Sequence, residues 1–170
     1  MDSIEKKIYK DYFLNNEEWY TEKMKLLDKK VKTYENRFMS NTKWKKLFLT
    51  IFSNVDVIKQ CEIVVLTISE IIDKTIVWTN NVELTRSIDE VNKYLFDDYI
   101  DTYLAGGHNP ISYREIEYLE FKKYNYQWIG TAVLKKEILQ NTNDIKVLIS
   151  KTGQFHWKET EEYIRIYGYK

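Results

Sequence analysis

Apolar residues near the start of the chain recur every three or four positions, which is the spacing of one face of an α-helix. Ile4, Ile8 and Tyr12 are the first to follow this spacing. After an interruption at Asn16, steps of four and three residues alternate through Tyr20, Met24, Leu27, Val31, Tyr34 and Phe38. The pattern predicts a helix over residues 3–14 and a second helix that carries these six residues and is capped by Asn16.

The second of these patterns forms a narrow apolar stripe, because a mean spacing of 3.5 residues keeps one line of side chains on the partner. The stripe spans fewer than three heptads, and a coiled coil requires more. The pattern therefore favours packing against the protein's own domain. Assembly of a homo-oligomer through Tyr20–Phe38 is the alternative.

The next segment changes from a helical pattern to a strand pattern. Residues 42–54 carry an apolar face at helical spacing, and Asn41 or Thr42 can cap this helix. Two runs rich in β-branched residues follow, CEIVVLTI and DKTIVWTNN. Short runs of this kind, bounded by polar residues, predict two strands, of which the first is buried.

Residues 87–104 predict a further helix, because Ser87 and Glu90 form a capping box ahead of an apolar face. Two glycines and the only proline of the chain, Gly106, Gly107 and Pro110, then end the helical pattern.

The remaining residues predict the order strand, helix, strand, strand. The segments are a strand at 115–124, a helix at 130–140, a strand at 145–150 after a turn, and a closing strand at 161–169. Taken together, the elements predict an α+β fold with a mainly antiparallel sheet packed by helices. A helical arm at residues 1–40 is expected to precede the α+β domain at 41–170.

Charge and composition narrow the choice of partners. The chain has 26 basic and 26 acidic residues, so its overall field favours neither nucleic acid nor an anionic membrane. The N-terminus lacks the basic and apolar regions of a signal peptide, and no window is long enough to span a bilayer. We therefore expect a cytoplasmic protein. Aromatic residues are abundant, with 14 Tyr, 7 Phe and 5 Trp.

Catalytic motifs are missing from the sequence. It contains no phosphate-binding glycine loop, no dinucleotide fingerprint and no nucleophile elbow. His108 and His156 lie in unrelated contexts, and Cys61 is the only thiol, inside an apolar run. The sequence therefore predicts a protein that is not an enzyme and that binds no cofactor and no metal.

The segment FDDYIDTY, residues 96–103, is the best candidate for a binding patch. Its acids are interleaved with tyrosines, which supply contact area at low entropic cost while carboxylates steer a basic partner. The candidate residues, with one in the following loop, are Asp97, Asp98, Tyr99, Asp101, Tyr103 and His108. On a helix, Asp97 and Asp101 would share one face. Two alternatives to a binding patch therefore remain open: the two carboxylates could form a solvated acidic surface, or they could hold Mg²⁺.

Three short motifs resemble those of a small bacterial family of domains of unknown function. They are NTKWKKLF at 41–48, REIEYLEF at 114–121 and YIRIYGY at 163–169. The resemblance covers about residues 41–169 and departs at Tyr118, where the family has Trp. It implies no catalytic residues. The small size, the acidic patch and the Tyr-rich composition are also similar to those of bacterial immunity proteins.

These observations predict a non-enzymatic module that binds another protein. The more specific hypothesis is an immunity-like or antitoxin-like inhibitor of a bacterial toxin. The alternative is an oligomeric structural or adaptor protein built on the heptad stripe. A metal-assisted phosphoesterase that uses Asp97, Asp101 and a glutamate of residues 115–120 is a third hypothesis.

Overall fold

The structure is a computed structural model that describes residues 17–66, 73–79, 87–101, 104, 110–129 and 134–170. The described residues form four α-helices and a mainly antiparallel five-stranded sheet, which confirms the α+β prediction. Three predicted features lie outside the described residues. They are the helix at residues 3–14, the cap of the second helix at Asn16, and the glycines Gly106 and Gly107 that end the helical pattern.

The helices are α1 at Glu17–Val31, α2 at Asn41–Ser53, α3 at Ile88–Asn92 and α4 at Thr142–Thr152. The N-cap of α2 is Ser40, whose hydroxyl accepts a hydrogen bond from the Lys43 amide at 3.2 Å. The prediction of Asn41 or Thr42 as this cap was therefore wrong by one or two positions. Ser87 caps α3 as predicted, since its hydroxyl accepts from the Glu90 amide at 3.2 Å.

The strands of the described residues are β1 at Gln60–Val65, β2 at Asp73–Trp78, β3 at Tyr99–Ile100, β4 at Ile111–Ser112, β5 at Ile116–Lys122, β6 at Tyr124–Ile129, β7 at Leu134–Leu139, β8 at Trp157–Glu159 and β9 at Tyr163–Tyr167. The main sheet has the order β2-β1-β5-β9-β8, and every neighbouring pair is antiparallel. Strands β3 and β4 form a separate small sheet, as do β6 and β7.

The helix predicted over residues 87–104 was wrong for residues 93–101, which follow α3. The chain reverses at Asp97 and Asp98, because Leu95 bridges to Ile100 and the Asp101 amide donates to the Tyr94 carbonyl at 3.0 Å. Aspartate is a poor residue for a helix interior and a good one for a turn. Pairing of Ile100 with Ile111 in the small sheet then fixes the extended conformation.

The predictions for 134–140 and 145–150 were exchanged, and residues 130–133 of the predicted helix lie outside the described residues. Residues 134–139 contain good helix formers, yet they form β7 because each pairs with a residue of β6. Residues 145–150 belong to α4, whose N-cap Asn141 accepts hydrogen bonds from the amides of Asn143 and Asp144. Ile145 and Ile149 lie one helical turn apart and are both buried. Tertiary pairing and a side-chain cap overrode the local propensities in both segments.

The core lies between the main sheet and helices α2 and α4. Buried side chains of the two helices and of three central strands form one cluster, which includes Trp44, Leu47, Phe48, Ile51, Phe52, Ile63, Leu119, Phe121, Ile145, Ile149 and Ile166. Removal of these apolar side chains from water is the main source of stability in such a domain.

Helix α1 lies against the same chain. Leu27 is 1% exposed and shares a buried cluster with Leu66 and Tyr169. The helix ends at Val31, earlier than the heptad pattern predicted, and the chain then pairs with its own C-terminal end. Backbone hydrogen bonds join Asn36 to Lys170 in both directions, at 2.9 and 3.1 Å. The division of the chain at residue 40 stays a prediction.

Among the described residues, no helix combines the length and the apolarity that crossing a lipid bilayer requires.

Candidate functional site

The predicted binding patch lies on the turn between α3 and β3. Asp97 and Asp98 are exposed at the tip of this turn, and Lys45 of α2 donates to the Asp97 carboxylate at 2.8 Å. The Asp98 carbonyl accepts hydrogen bonds from the Tyr113 amide at 3.0 Å and the Ser112 hydroxyl at 3.3 Å. These backbone contacts hold the turn firmly against the core.

Tyr99 does not contribute a surface ring, which corrects the prediction for this residue. It is 4% exposed, and its ring stacks on Phe96 with a centroid distance of 4.4 Å and an interplanar angle of 6°. Tyr99 lies on β3, where it pairs with Ser112 of β4. Tyr103 and His108 lie outside the described residues.

Asp97 and Asp101 do not share a helix face, because the backbone between them reverses. Burial raises the pKa of the neighbouring Tyr113 hydroxyl, and the carboxylates of Asp98 and Asp97 act in the same direction. The Tyr113 hydroxyl therefore stays protonated and donates to the Phe96 carbonyl at 3.1 Å.

The glutamates of residues 115–120 have cationic or aromatic neighbours. Glu115 pairs with Lys23 at 2.5 Å, and Glu120 pairs with Arg165. Glu117 lies near Tyr34 and contributes to the raised pKa of that phenol, about 12, behind the larger effect of burial. Within the described part of the chain, no group of three or more His, Cys, Asp or Glu side chains is placed to hold a metal ion.

The β6–β7 hairpin carries a second candidate surface, which the sequence reasoning missed. Side chains alternate between the faces of a strand, so Tyr124, Tyr126 and Trp128 lie on one face of β6. Leu139 joins them because it pairs with Tyr124 across the hairpin. We call these four residues the aromatic face.

All four residues of the aromatic face are large, apolar and exposed, with exposed fractions of 48% for Tyr124, 47% for Tyr126, 58% for Trp128 and 58% for Leu139. The Tyr124 and Tyr126 rings meet edge to face at 5.4 Å. The Lys135 ammonium lies 4.4 Å from the centroid of the Trp128 ring. The alternation Y-x-Y-x-W was the sequence signal that could have revealed this face.

The hairpin is attached to the main sheet through Gln140, which is buried. Its amide nitrogen donates to the carbonyls of Gln60 at 3.1 Å and Lys122 at 2.7 Å, and its oxygen accepts from the Lys59 amide at 3.0 Å. On the side opposite the aromatic face, Ile138 is buried. A two-stranded sheet is only marginally stable alone, so these attachments keep the hairpin in a fixed position on the domain.

Comparison of the chain with protein-family models, with curated proteins and with solved structures finds no match. The resemblance described for residues 41–169 therefore stays a prediction, and the functional argument rests on the geometry of these surfaces.

Proposed function

We propose that this protein is a non-enzymatic module that binds another protein through the aromatic face of its β6–β7 hairpin. The observation that carries the proposal is the exposure of Tyr124, Tyr126, Trp128 and Leu139 side by side on a strand pair that joins no larger sheet of the described residues. Contiguous exposed apolar residues of this size are typical of interaction sites.

The residue types of the aromatic face support a protein partner. Tyrosine and tryptophan provide large contact areas with few rotatable bonds, and they are enriched among residues that dominate binding energies. The anchoring of the hairpin through Gln140 adds to this, because a surface already held in place loses little conformational entropy on binding.

The charged side chains on the aromatic face indicate what the partner presents. Lys135 and Glu137 lie on this face, because they pair with Trp128 and Tyr126 across the hairpin, and both are exposed. A partner with an apolar patch flanked by one carboxylate and one cation would complement this arrangement. An inhibitor of a bacterial toxin is the specific form of the proposal, supported by the small size and the Tyr-rich composition of the chain.

The oligomeric alternative uses the heptad stripe Tyr20–Phe38. Its central residue, Leu27, packs on Leu66 and Tyr169 of the same chain, and Met24 and Val31 border that cluster. Self-assembly through this stripe would have to replace those contacts. The geometry therefore favours the binding proposal over the oligomeric one.

The test is affinity capture of the tagged protein from its native host, with the products of neighbouring genes co-expressed, followed by affinity measurements on the purified complex. We expect Trp128→Ala to weaken binding by at least about tenfold, as for a residue at the centre of an interface. Leu134→Ala is the matched control, because Leu134 is 68% exposed on the opposite face of the same hairpin.

Two results would contradict the proposal. One is unchanged affinity for Trp128→Ala together with loss of binding when Asp97, Asp98 and Asp101 are changed to Lys, which would assign the interface to the predicted acidic patch. The other is recovery of the protein alone as a defined oligomer that dissociates in the Leu27→Lys variant, which would favour the heptad stripe.

A further inference from the structure

A cleft of about 670 Å³ lies where the connection between α1 and α2 passes the turn before β5. Three cationic side chains line it: Arg37, Lys43 and Arg114. None of the described residues that line the cleft is acidic. We call this cleft the cationic pocket.

Local contacts position two of the cations without neutralising them. Arg37 donates from Nε to the Met39 carbonyl at 3.0 Å and from Nη2 to the Asn41 side-chain oxygen at 3.4 Å. The Lys43 ammonium lies 3.4 Å from the Phe38 carbonyl. These acceptors are uncharged, and a guanidinium with five N–H donors keeps several of them available for a ligand.

The third cation is partly compensated. Arg114 pairs with Asp28 of α1 at the border of the pocket, so the pocket retains an excess of two positive charges from Arg37 and Lys43. The start of α2 adds to this potential in a minor way, because its first turn contains no acidic residue.

Phe38 gives the pocket an aromatic wall. It is half-buried, and its ring stacks on His156 with a centroid distance of 4.1 Å and an interplanar angle of 8°. The pocket thus combines cations with an aromatic edge, and both line the same space.

We propose that the cationic pocket binds the phosphate group of a small ligand, with Arg37 and Lys43 as its principal contacts. Arginine and lysine form charge-assisted hydrogen bonds with phosphate oxygens, and the arginine fork can contact two oxygens at once. The ligand is either inorganic phosphate or a phosphate monoester whose organic part lies against Phe38. The inference is independent of the aromatic face, so its failure would leave the proposed function unaffected.

The experiment is calorimetric titration of the full chain with inorganic phosphate, with adenosine 5′-monophosphate and with adenosine. Both phosphate compounds are expected to bind saturably, and adenosine is not. Tighter binding of the monophosphate than of inorganic phosphate would assign an ester, and equal affinities would assign the free ion. Adenosine that binds as tightly as the monophosphate would overturn the proposal.

Lys43→Gln and Lys46→Gln form a matched pair, because both remove one exposed lysine charge from α2 and only Lys43 lines the pocket. We expect Lys43→Gln to weaken phosphate binding about tenfold, the equivalent of one charge-assisted hydrogen bond, and Lys46→Gln to change it little. Equal weakening in both variants would show general attraction by the surface charge and would overturn the proposal, as would the absence of saturable heat at millimolar phosphate.

A third variant, Arg37→Lys, keeps the positive charge and removes the guanidinium, which can donate to two phosphate oxygens at once. Circular dichroism checks that all three variants are folded. If the guanidinium contacts the ligand, Arg37→Lys weakens phosphate binding even though the net charge is unchanged. Unchanged affinity in both Arg37→Lys and Lys43→Gln would overturn the proposal.

Discussion

Arg165 on β9 donates two hydrogen bonds to one carboxylate oxygen of Glu120 on β5, from Nε at 2.8 Å and from Nη2 at 2.5 Å. The two residues are direct partners across the strands. The guanidinium also lies over the Tyr118 ring, 4.1 Å from its centroid. The Glu120–Arg165 pair therefore links β5 to β9 through side chains near the centre of the main sheet.

Glu120→Gln is expected to lower the free energy of unfolding by about 2 kcal/mol, because it leaves the half-buried Arg165 charge without its anionic partner. Chemical denaturation followed by circular dichroism measures this. Glu159→Gln is the control, since the pair of Glu159 with Lys146 is more exposed and exposed pairs contribute little. Equal losses in the two variants would contradict a special role for the Glu120–Arg165 pair.

Gly168→Ala is expected to destabilise the protein by about 1–3 kcal/mol, the range for overpacking a close contact. A Cβ at this position would meet the Ile116 carbonyl oxygen at 2.4 Å and the Trp44 ring at 2.9 Å. At Gly153 an added Cβ would meet the Phe155 ring at an ordinary 3.6 Å. Thermal unfolding of both alanine variants measures the difference, and a Gly168 variant as stable as the Gly153 variant would show that the backbone there can move.

Leu27→Ala is expected to cost about 2–4 kcal/mol of stability, the range for emptying a buried leucine site, and Leu26→Ala much less because Leu26 is 37% exposed. Denaturation at several protein concentrations distinguishes packing of the heptad stripe within one chain from assembly between chains. Contacts within one chain predict a loss that is independent of concentration. A loss that grows on dilution would indicate assembly between chains.

Stability is expected to fall as the pH rises above 9. Burial raises the pKa of the Cys61 thiol from 9.0 to about 12, and the adjacent Glu62 carboxylate acts in the same direction. Between these two values the unfolded chain has lost a proton that the folded chain keeps, so the free energy of unfolding declines by about 1.4 kcal/mol per pH unit from this group.

Denaturation at pH 8 and at several higher values measures this decline, and Cys61→Ala is the matched variant. It is less stable at pH 8 because it leaves a small cavity, but its decline above pH 9 is shallower. Parallel declines in the two proteins would show that the thiol does not contribute.

Patterns of side chains within single elements were sufficient to predict much of the fold. The apolar face of α2 follows from Trp44, Leu47 and Ile51 at helical spacing, and β1, β2 and β9 follow from runs of β-branched and aromatic residues. In these segments local propensity and burial favour the same conformation. The α+β class could therefore be predicted from the sequence.

The candidate surfaces depended on contacts between distant residues. The aromatic face exists because β6 pairs with β7, although residues 134–139 favour a helix locally. Tyr99 is buried on β3, which pairs with β4, and no pattern within residues 96–103 indicates that pairing.

The sequence alone thus determined the elements whose buried faces are encoded within one segment, together with the balance of charge and the abundance of aromatic residues. Only the tertiary structure decided which aromatic rings reach the surface and which cations converge. Arg37 and Arg114 are far apart in sequence and meet in one pocket because residues 36–38 pair with the C-terminal end of the chain beside the turn before β5. Strand pairing between distant residues depends on the free energy of the whole fold, and local propensity does not specify it.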